Sequence, residues 1–352
     1  MTTLSDRLDA LTRPARLVKQ ENDEAVRCLA CAHTCLLKPD QRGICQMRFN
    51  REGILMAPWG YVAGLNADPI EKKPFMHFLP GSLALTFGML GCNFHCDFCQ
   101  NWVSSQALRD PHTEGISGSI QAITPQNLVD YAKRTGSRVI ASSYNEPLIT
   151  TEWSLDIFQL AKQQGLRCVY VSNGFATSQV LHALQPVLDG FKVDLKCITD
   201  TQYRELGGRL QVVLDSITLA HDLGMWVEVV TLVIPGFNES TDDLWQMARF
   251  LASVSVDIPW HVTAFHPMYK RLDGERTSSE ILQRAAEIGQ EAGLHYVYAG
   301  NLPGMLDELE HTFCPTCRTR LISRTGYHIH HNRISAQGTC PQCGTTIAGV
   351  WS

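Results

Sequence analysis

Between residues 81 and 303 short apolar runs alternate with longer stretches of helical periodicity. The runs are LALTFGM (83–89), SRVIASSY (137–144), RCVYVSN (167–173), FKVDLKC (191–197), WVEVVTLVI (226–234) and WHVTAFHP (260–267). A last one, HYVYAG (295–300), closes or flanks the set. Each is rich in β-branched and aromatic residues and reads as a strand. The stretches between them read as helices. Residues 124–136 open on Thr124-Pro125, an N-cap followed by proline in the first turn. Residues 151–165 carry Trp153, Ile157, Leu160 and Ala161 at helical spacing and stop at Gly165. Residues 241–254 open on Thr241 and two acids. Strands separated by helices of this length imply βαβ units and a parallel sheet. The fold class is therefore α/β, a partial (β/α)6 barrel, and its chemistry is expected at the C-terminal ends of the strands.

In FKVDLKC the side chains alternate between faces. Lys192, Asp194 and Lys196 share one, and Phe191, Val193, Leu195 and Cys197 share the other. The apolar face packs on helices, so the charged one points into the barrel, where charges are costly unless paired or used. They bond to one another, or they contact a ligand. His261 and His266 flank the sixth strand, and His266, near its C-terminal end, is a candidate substrate contact or a barrel-rim histidine.

A 44% hydrophobic, 18% charged composition is that of a globular chain. A net charge of −5 does not suit a protein whose main partner is nucleic acid. No apolar run approaches the ~20 residues of a membrane span, and MTTLSDRLDALTRPAR lacks the apolar core of a signal peptide. A cytoplasmic chain with no membrane or nucleic-acid partner is expected. The thirteen cysteines change the picture. In a reducing compartment, clustered cysteines hold metal or do redox chemistry more often than they form disulfides.

Eleven of the thirteen fall into three sets, which divide the chain into 1–80, 81–303 and 311–352. Cys168 and Cys197 stand alone in apolar runs and read as small buried hydrophobes. The C-terminal set is Cys314, Cys317, Cys340 and Cys343. Its two C-x2-C knuckles, 22 residues apart, have the spacing of a zinc ribbon with Cys₄ zinc. The segment carries four Arg and no Lys, Asp or Glu. The N-terminal set is Cys28, Cys31, Cys35 and Cys45. It is compact enough for a structural Cys₄ zinc bracing the barrel's entrance, and it also resembles an iron–sulfur loop that relays electrons or contacts substrate. Metal content separates the two: about two zinc and four iron per chain, against eight or more iron. The middle set, Cys92, Cys96 and Cys99, directly follows the first barrel strand. Three thiolates so close bind three corners of a cubane that normally takes four, and leave one iron open. Zinc with His95 as fourth ligand is the rival, but His95 adjoins Cys96 and reaches poorly.

C-x3-C-x2-C after the first strand, with Phe98 before the last cysteine, resembles the radical S-adenosylmethionine (SAM) signature. The rest of the barrel is similar to the activases of glycyl-radical enzymes, of the pyruvate formate-lyase activase type. Ser172-Asn173-Gly174-Phe175 resembles their T-N-G-F, Asp194-Leu195-Lys196 their D-L-K, and Ile234-Pro235-Gly236 their hydrophobic-P-G. More narrowly, residues 68–78 (DPIEKKPFMHF), 91–102 (GCNFHCDFCQNW), Tyr144-Asn145-Glu146-Pro147 and the N-terminal cysteines resemble the radical SAM member of the AmmeMemoRadiSam system.

The resemblance implies a [4Fe–4S] cluster on Cys92, Cys96 and Cys99, with SAM on the open iron. It implies reductive cleavage of SAM to a 5′-deoxyadenosyl radical, which abstracts hydrogen from an unknown small molecule, peptide or protein. A reductant such as flavodoxin or ferredoxin would supply the electron. Tyr144 to Pro147 stand where the superfamily has G-G-E, which holds the methionine amino group. Both glycines are absent, so Glu146 carries over directly, with Asn145 beside it. Ser172 and Asn173 would lie by the SAM ribose or carboxylate. Asp194 and Lys196 would contact the SAM carboxylate or substrate as catalytic residues, and Phe98 belongs to the cofactor site. Each has a plainer reading: an acid at a helix entry for Glu146, a turn for Ser172-Asn173. The rival from another class is a zinc-binding interaction protein on a barrel that has lost catalysis, and the intact Cys92, Cys96 and Cys99 argue against it.

Overall fold

The computed structural model describes residues 3–352. Its main sheet contains β1 (Gly64–Pro69), β2 (Leu83–Gly88), β3 (Val139–Ser142), β4 (Arg167–Ser172), β5 (Gly190–Asp194), β6 (Trp226–Val233), β7 (Trp260–Ala264) and β8 (Val297–Gly300). The strands lie in that order. β1 is antiparallel to β2, and every later neighbour pair is parallel. All seven apolar runs are strands. The seventh flanks the six-unit barrel, and β1 forms the opposite edge. β1 escapes sequence reading because GLNADP is half-exposed and has no apolar alternation.

Helices cover the outer face: α1 (Pro125–Arg134), α2 (Thr151–Gln163), α3 (Ser178–Leu184), α4 (Leu210–Asp222), α5 (Thr241–Val254) and α6 (Ser279–Glu291). Thr124 caps α1 by accepting from Asn127 N. The cap of α5 is Ser240, one residue before the expected Thr241, because the Ser240 hydroxyl takes Asp243 N. Among the described residues no helix is long and apolar enough to cross a membrane.

One end of the inner face is filled by the link between β1 and β2. Ile70, Phe75, Phe78 and Leu79 pack on Ala84, Val139, Ala141 and Val169. Gly190 leaves room for them: a Cβ there would stand 3.2 Å from ring carbons of both Phe75 and Phe78. The fully buried Glu228 of β6 holds this plug. It accepts from Met76 N and His77 N at 2.9 Å each, and from Trp226 Nε1 at 2.9 Å. His261 Nε2 lies 2.7 Å from its other side.

The C-terminal module is a three-stranded antiparallel sheet, β9 (Thr312–Phe313), β10 (Arg320–Thr325) and β11 (His328–Asn332). It docks on the plug. Val350 N donates to His77 O and Leu79 N to Val350 O, each at 2.7 Å. The buried Arg324 donates to Met76 O at 2.9 Å. The N-terminal segment forms two small antiparallel sheets and is clamped to α2 by a buried two-pronged pair, Arg48 and Glu152, at 2.7 Å. Burial alone would raise the Glu152 carboxyl, but the Arg48 charge together with the hydrogen bonds from Arg48 and Leu17 N outweighs it and holds the group at about 2.

Candidate cluster and cofactor site

β2 ends at Gly88, and residues 89–101 cross the C-terminal ends of the strands. Cys96, Phe98 and Cys99 from this loop line a cavity of about 410 Å³. Asp194, Lys192 and Lys196 line it from β5 and just beyond, as the alternation in FKVDLKC predicts. Cys92 is not among the lining residues. Its sulfur accepts from Phe94 N at 3.3 Å and from Asn173 Nδ2 at 3.8 Å. Cys99 Sγ is 3.2 Å from Ser105 Oγ. Such hydrogen bonds stabilise thiolate sulfur bound to iron. Three cysteines on one loop, two of them with hydrogen-bonded sulfurs, beside an open cavity with no fourth cysteine among its lining residues, fit a cubane with one free corner.

Asp194 is bracketed by two ammonium groups. Lys192 Nζ bonds to one carboxylate oxygen, and Lys196 Nζ lies 3.1 Å from the other. Burial would raise the Asp194 carboxyl; the two lysines prevail and hold it at about 2. The triad keeps one net positive charge facing the cavity.

The remaining expected residues come together behind the cavity wall. Glu146 accepts from Ser172 Oγ at 2.7 Å, Asn173 N at 2.8 Å and Leu148 N at 3.1 Å. Burial pushes its carboxyl up to about 7 against those three donors. Glu146 thus ties the end of β3 to the turn after β4, and it also caps the short helix Pro147–Thr150, so the helix-entry reading holds as well. The turn uses Gly174 at φ +70°, where a Cβ would stand 2.6 Å from Val193 Cγ1. Asn145 spends its side-chain oxygen on Met89 N at 2.9 Å, steadying the loop before Cys92.

Three neighbours of the cavity were not singled out as site residues from the sequence. Tyr144 takes φ +68°, and its ring lies 4.9 Å from the buried Lys73 Nζ. Lys73 also bonds Asp68 at 3.0 Å. Tyr327 reaches the cavity from the C-terminal module. His261 lines the cavity and is bonded to Glu228, whereas His266 is not among the lining residues. The charged Glu228 inside an apolar run was the available signal for a buried polar network.

The four C-terminal sulfurs all lie within 4.8 Å of one another, with Cys314–Cys343 at 3.6 Å and Cys317–Cys340 at 3.7 Å. Sulfurs about 2.3 Å from a tetrahedral zinc stand about 3.8 Å apart. The Thr319 hydroxyl, 3.2 Å from Cys317 Sγ, helps draw that thiol down to about 6. The set fits a single ion such as zinc. His328, His330 and His331 stand outside it on β11. Among the described residues, no other group of three metal-binding side chains is gathered as tightly, the N-terminal set included.

Residues 87–251 match the family model of the radical SAM superfamily. Uncharacterized protein MJ0808 of Methanocaldococcus jannaschii is 36% identical over 340 residues, spanning 95% of this chain and 98% of that protein. A pyruvate formate-lyase-activating enzyme of Clostridium pasteurianum is 23% identical over 207 residues, 55% of this chain and 81% of that enzyme. Among solved structures, a radical SAM methyltransferase from Sphaerobacter thermophilus aligns with a TM-score of 0.49 at 15% identity, over 83% of this chain and 78% of its own.

Proposed function

The chain belongs to the radical SAM superfamily, and from that premise we propose that it is an enzyme that cleaves SAM reductively, with Cys92, Cys96 and Cys99 as ligands of a [4Fe–4S] cluster. When bound there, such a cluster would supply the single electron for reductive cleavage of SAM, the source of a hydrogen-abstracting 5′-deoxyadenosyl radical. One observation carries the reading: Cys96 and Cys99 line the same cavity as the Lys192–Asp194–Lys196 triad, with Cys92 on the same loop. Lys196 and Lys192 offer cations to the SAM carboxylate or to an anionic substrate. Asp194 fixes both ammonium groups and offers an acceptor to the methionine amino group. Glu146 positions Ser172 and Asn173, and through Asn173 supports Cys92. The plug also lines the cavity, through Lys73, Pro74 and Met76.

The substrate is a small molecule, peptide or protein, and the electron donor is a protein such as flavodoxin or ferredoxin. Within the superfamily, the motifs at 68–78, 91–102 and 144–147 favour the radical SAM member of the AmmeMemoRadiSam system. The C-terminal cysteines take zinc. Cys92→Ala, Cys96→Ala and Cys99→Ala test the cluster ligands. Each is expected to lower iron by about four per chain and to abolish the SAM-induced change in the reduced EPR spectrum. Full iron and an unchanged SAM response in any of the three would refute the assignment.

A further inference from the structure

The N-terminal cysteines pack directly against the loop that carries Cys92. Ala32 N donates to Phe175 O at 3.0 Å, and Thr177 Oγ1 to Leu29 O at 2.7 Å. The His33 ring nitrogen is 3.0 Å from Asn93 O. Asn93 in turn accepts from Asn173 Nδ2 at 2.7 Å, the same amide that reaches Cys92. Gly43 leaves space between two of the cysteines: a Cβ there would stand 3.6 Å from Cys35 Sγ and 3.8 Å from Cys45 Sγ.

Two observations set these four sulfurs apart from the C-terminal four. The first is their spread. A single zinc draws four sulfurs to about 3.8 Å of one another, and the C-terminal set shows that spacing. Among the described residues the N-terminal set is not gathered into such a group, and neither is the Cys92, Cys96 and Cys99 set. Thiolates at the corners of a four-iron cube are held apart by the cube itself. The second is a pair of buried donors with no acceptor, Asn93 Nδ2 and Arg48 Nε. The Asn93 side chain faces Cys31, and Arg48 faces Cys28 and Cys45. Asn93 is 0% and Arg48 1% exposed, so both donors lie away from bulk solvent. Cluster sulfurs accept such N–H groups, and those bonds tune the cluster's potential. Glu152 neutralises the other edge of Arg48 and leaves that one N–H free for sulfur.

We propose that Cys28, Cys31, Cys35 and Cys45 hold a second four-iron cluster, which hands electrons to the site at Cys92, Cys96 and Cys99. The relay rests on the function proposed above; the second cluster does not. Cys35, half-buried beside the exposed Leu36, is the outward side, and the buried Cys31 beside Asn93 is the inward side. One electron enters from a low-potential flavin or iron–sulfur protein and takes the second cluster from the 2+ to the 1+ state. The same electron leaves for the first cluster and restores the 2+ state. No atoms move.

Anaerobically reconstituted full-length protein is expected to carry about eight iron, eight sulfide and one zinc. The triple variant Cys92→Ala/Cys96→Ala/Cys99→Ala is expected to keep about four iron and a reducible EPR signal that ignores SAM. The double variant Cys31→Ser/Cys45→Ser should lose about four iron and no zinc. With reduced flavodoxin as donor it should form 5′-deoxyadenosine at least about tenfold more slowly than wild type, and with dithionite within about twofold. A triple variant without iron, or a double variant that loses zinc and keeps its iron, would overturn the second cluster. Equal rates with both reductants in wild type and double variant would overturn the relay. Iron that survives the triple substitution, together with a reduced wild-type protein that never cleaves SAM, would support the second cluster while removing the catalytic reading.

Discussion

Asp194 meets two lysines inside a cavity, so its removal strands two ammonium groups at once. Asp194→Asn is expected to cost about 3 kcal/mol in urea unfolding, as breaking a buried pair does. Adding Lys192→Met should return most of that, because Lys192 is the more buried partner. A double variant that regains stability and also SAM cleavage would mean that the triad serves only itself. This triad was legible: strand alternation alone put Lys192, Asp194 and Lys196 on one face. The positions of Asn145 and Tyr144 were not. Asn145 turns its amide to a backbone N–H, and Tyr144 adopts a positive φ, which bulky residues rarely take. No periodicity announces either.

The plug between β1 and β2 is the element the apolar pattern missed. Its sequence, IEKKPFMHFLPG, mixes charges and prolines with aromatics, because one side faces the barrel and the other the Glu228 network. Cysteine spacing, by contrast, located the C-terminal four whose sulfurs the fold gathers, since ligand geometry demands short intervals. His77 gives the plug a pH dependence. It lies against Glu228, His261, Arg324, Tyr296 and Tyr298, and its backbone-directed nitrogen meets Ala348 O at 2.7 Å. Burial outweighs the Glu228 charge and holds its imidazolium pKa down at about 4, below the ordinary 6.5. The unfolded chain therefore binds the proton first. The stabilisation is complete above pH 6.5 and is lost as pH falls through 4. Between pH 7 and 5 the wild type should lose about 2 kcal/mol more than His77→Gln in urea unfolding. Equal losses in the two proteins would show that His77 titrates normally.

At the scale of the molecule, the three cysteine sets mark three parts that the fold packs into one body. The docking of the C-terminal module on the plug was not legible in the sequence, because it runs largely through backbone groups of Met76, His77 and Ala348. The zinc-ribbon pattern suggests a unit that folds on its own metal. Here it also covers the plug, and Tyr327 reaches the cavity. Ending the chain at residue 310 should remove about one zinc and lower the melting temperature of what remains. A melting temperature equal to that of the full chain would show that the docking contributes no stability.

The central claim is that the cavity beside Cys96 and Cys99 is where SAM is broken. Its most direct measurement is 5′-deoxyadenosine, quantified after SAM is added to the anaerobically reconstituted, reduced full-length protein. The expected result is at least about one equivalent per chain from wild type and none from Cys99→Ala. Reduced wild-type protein that carries its iron and binds SAM, yet releases no 5′-deoxyadenosine beyond the Cys99→Ala background, would contradict the claim.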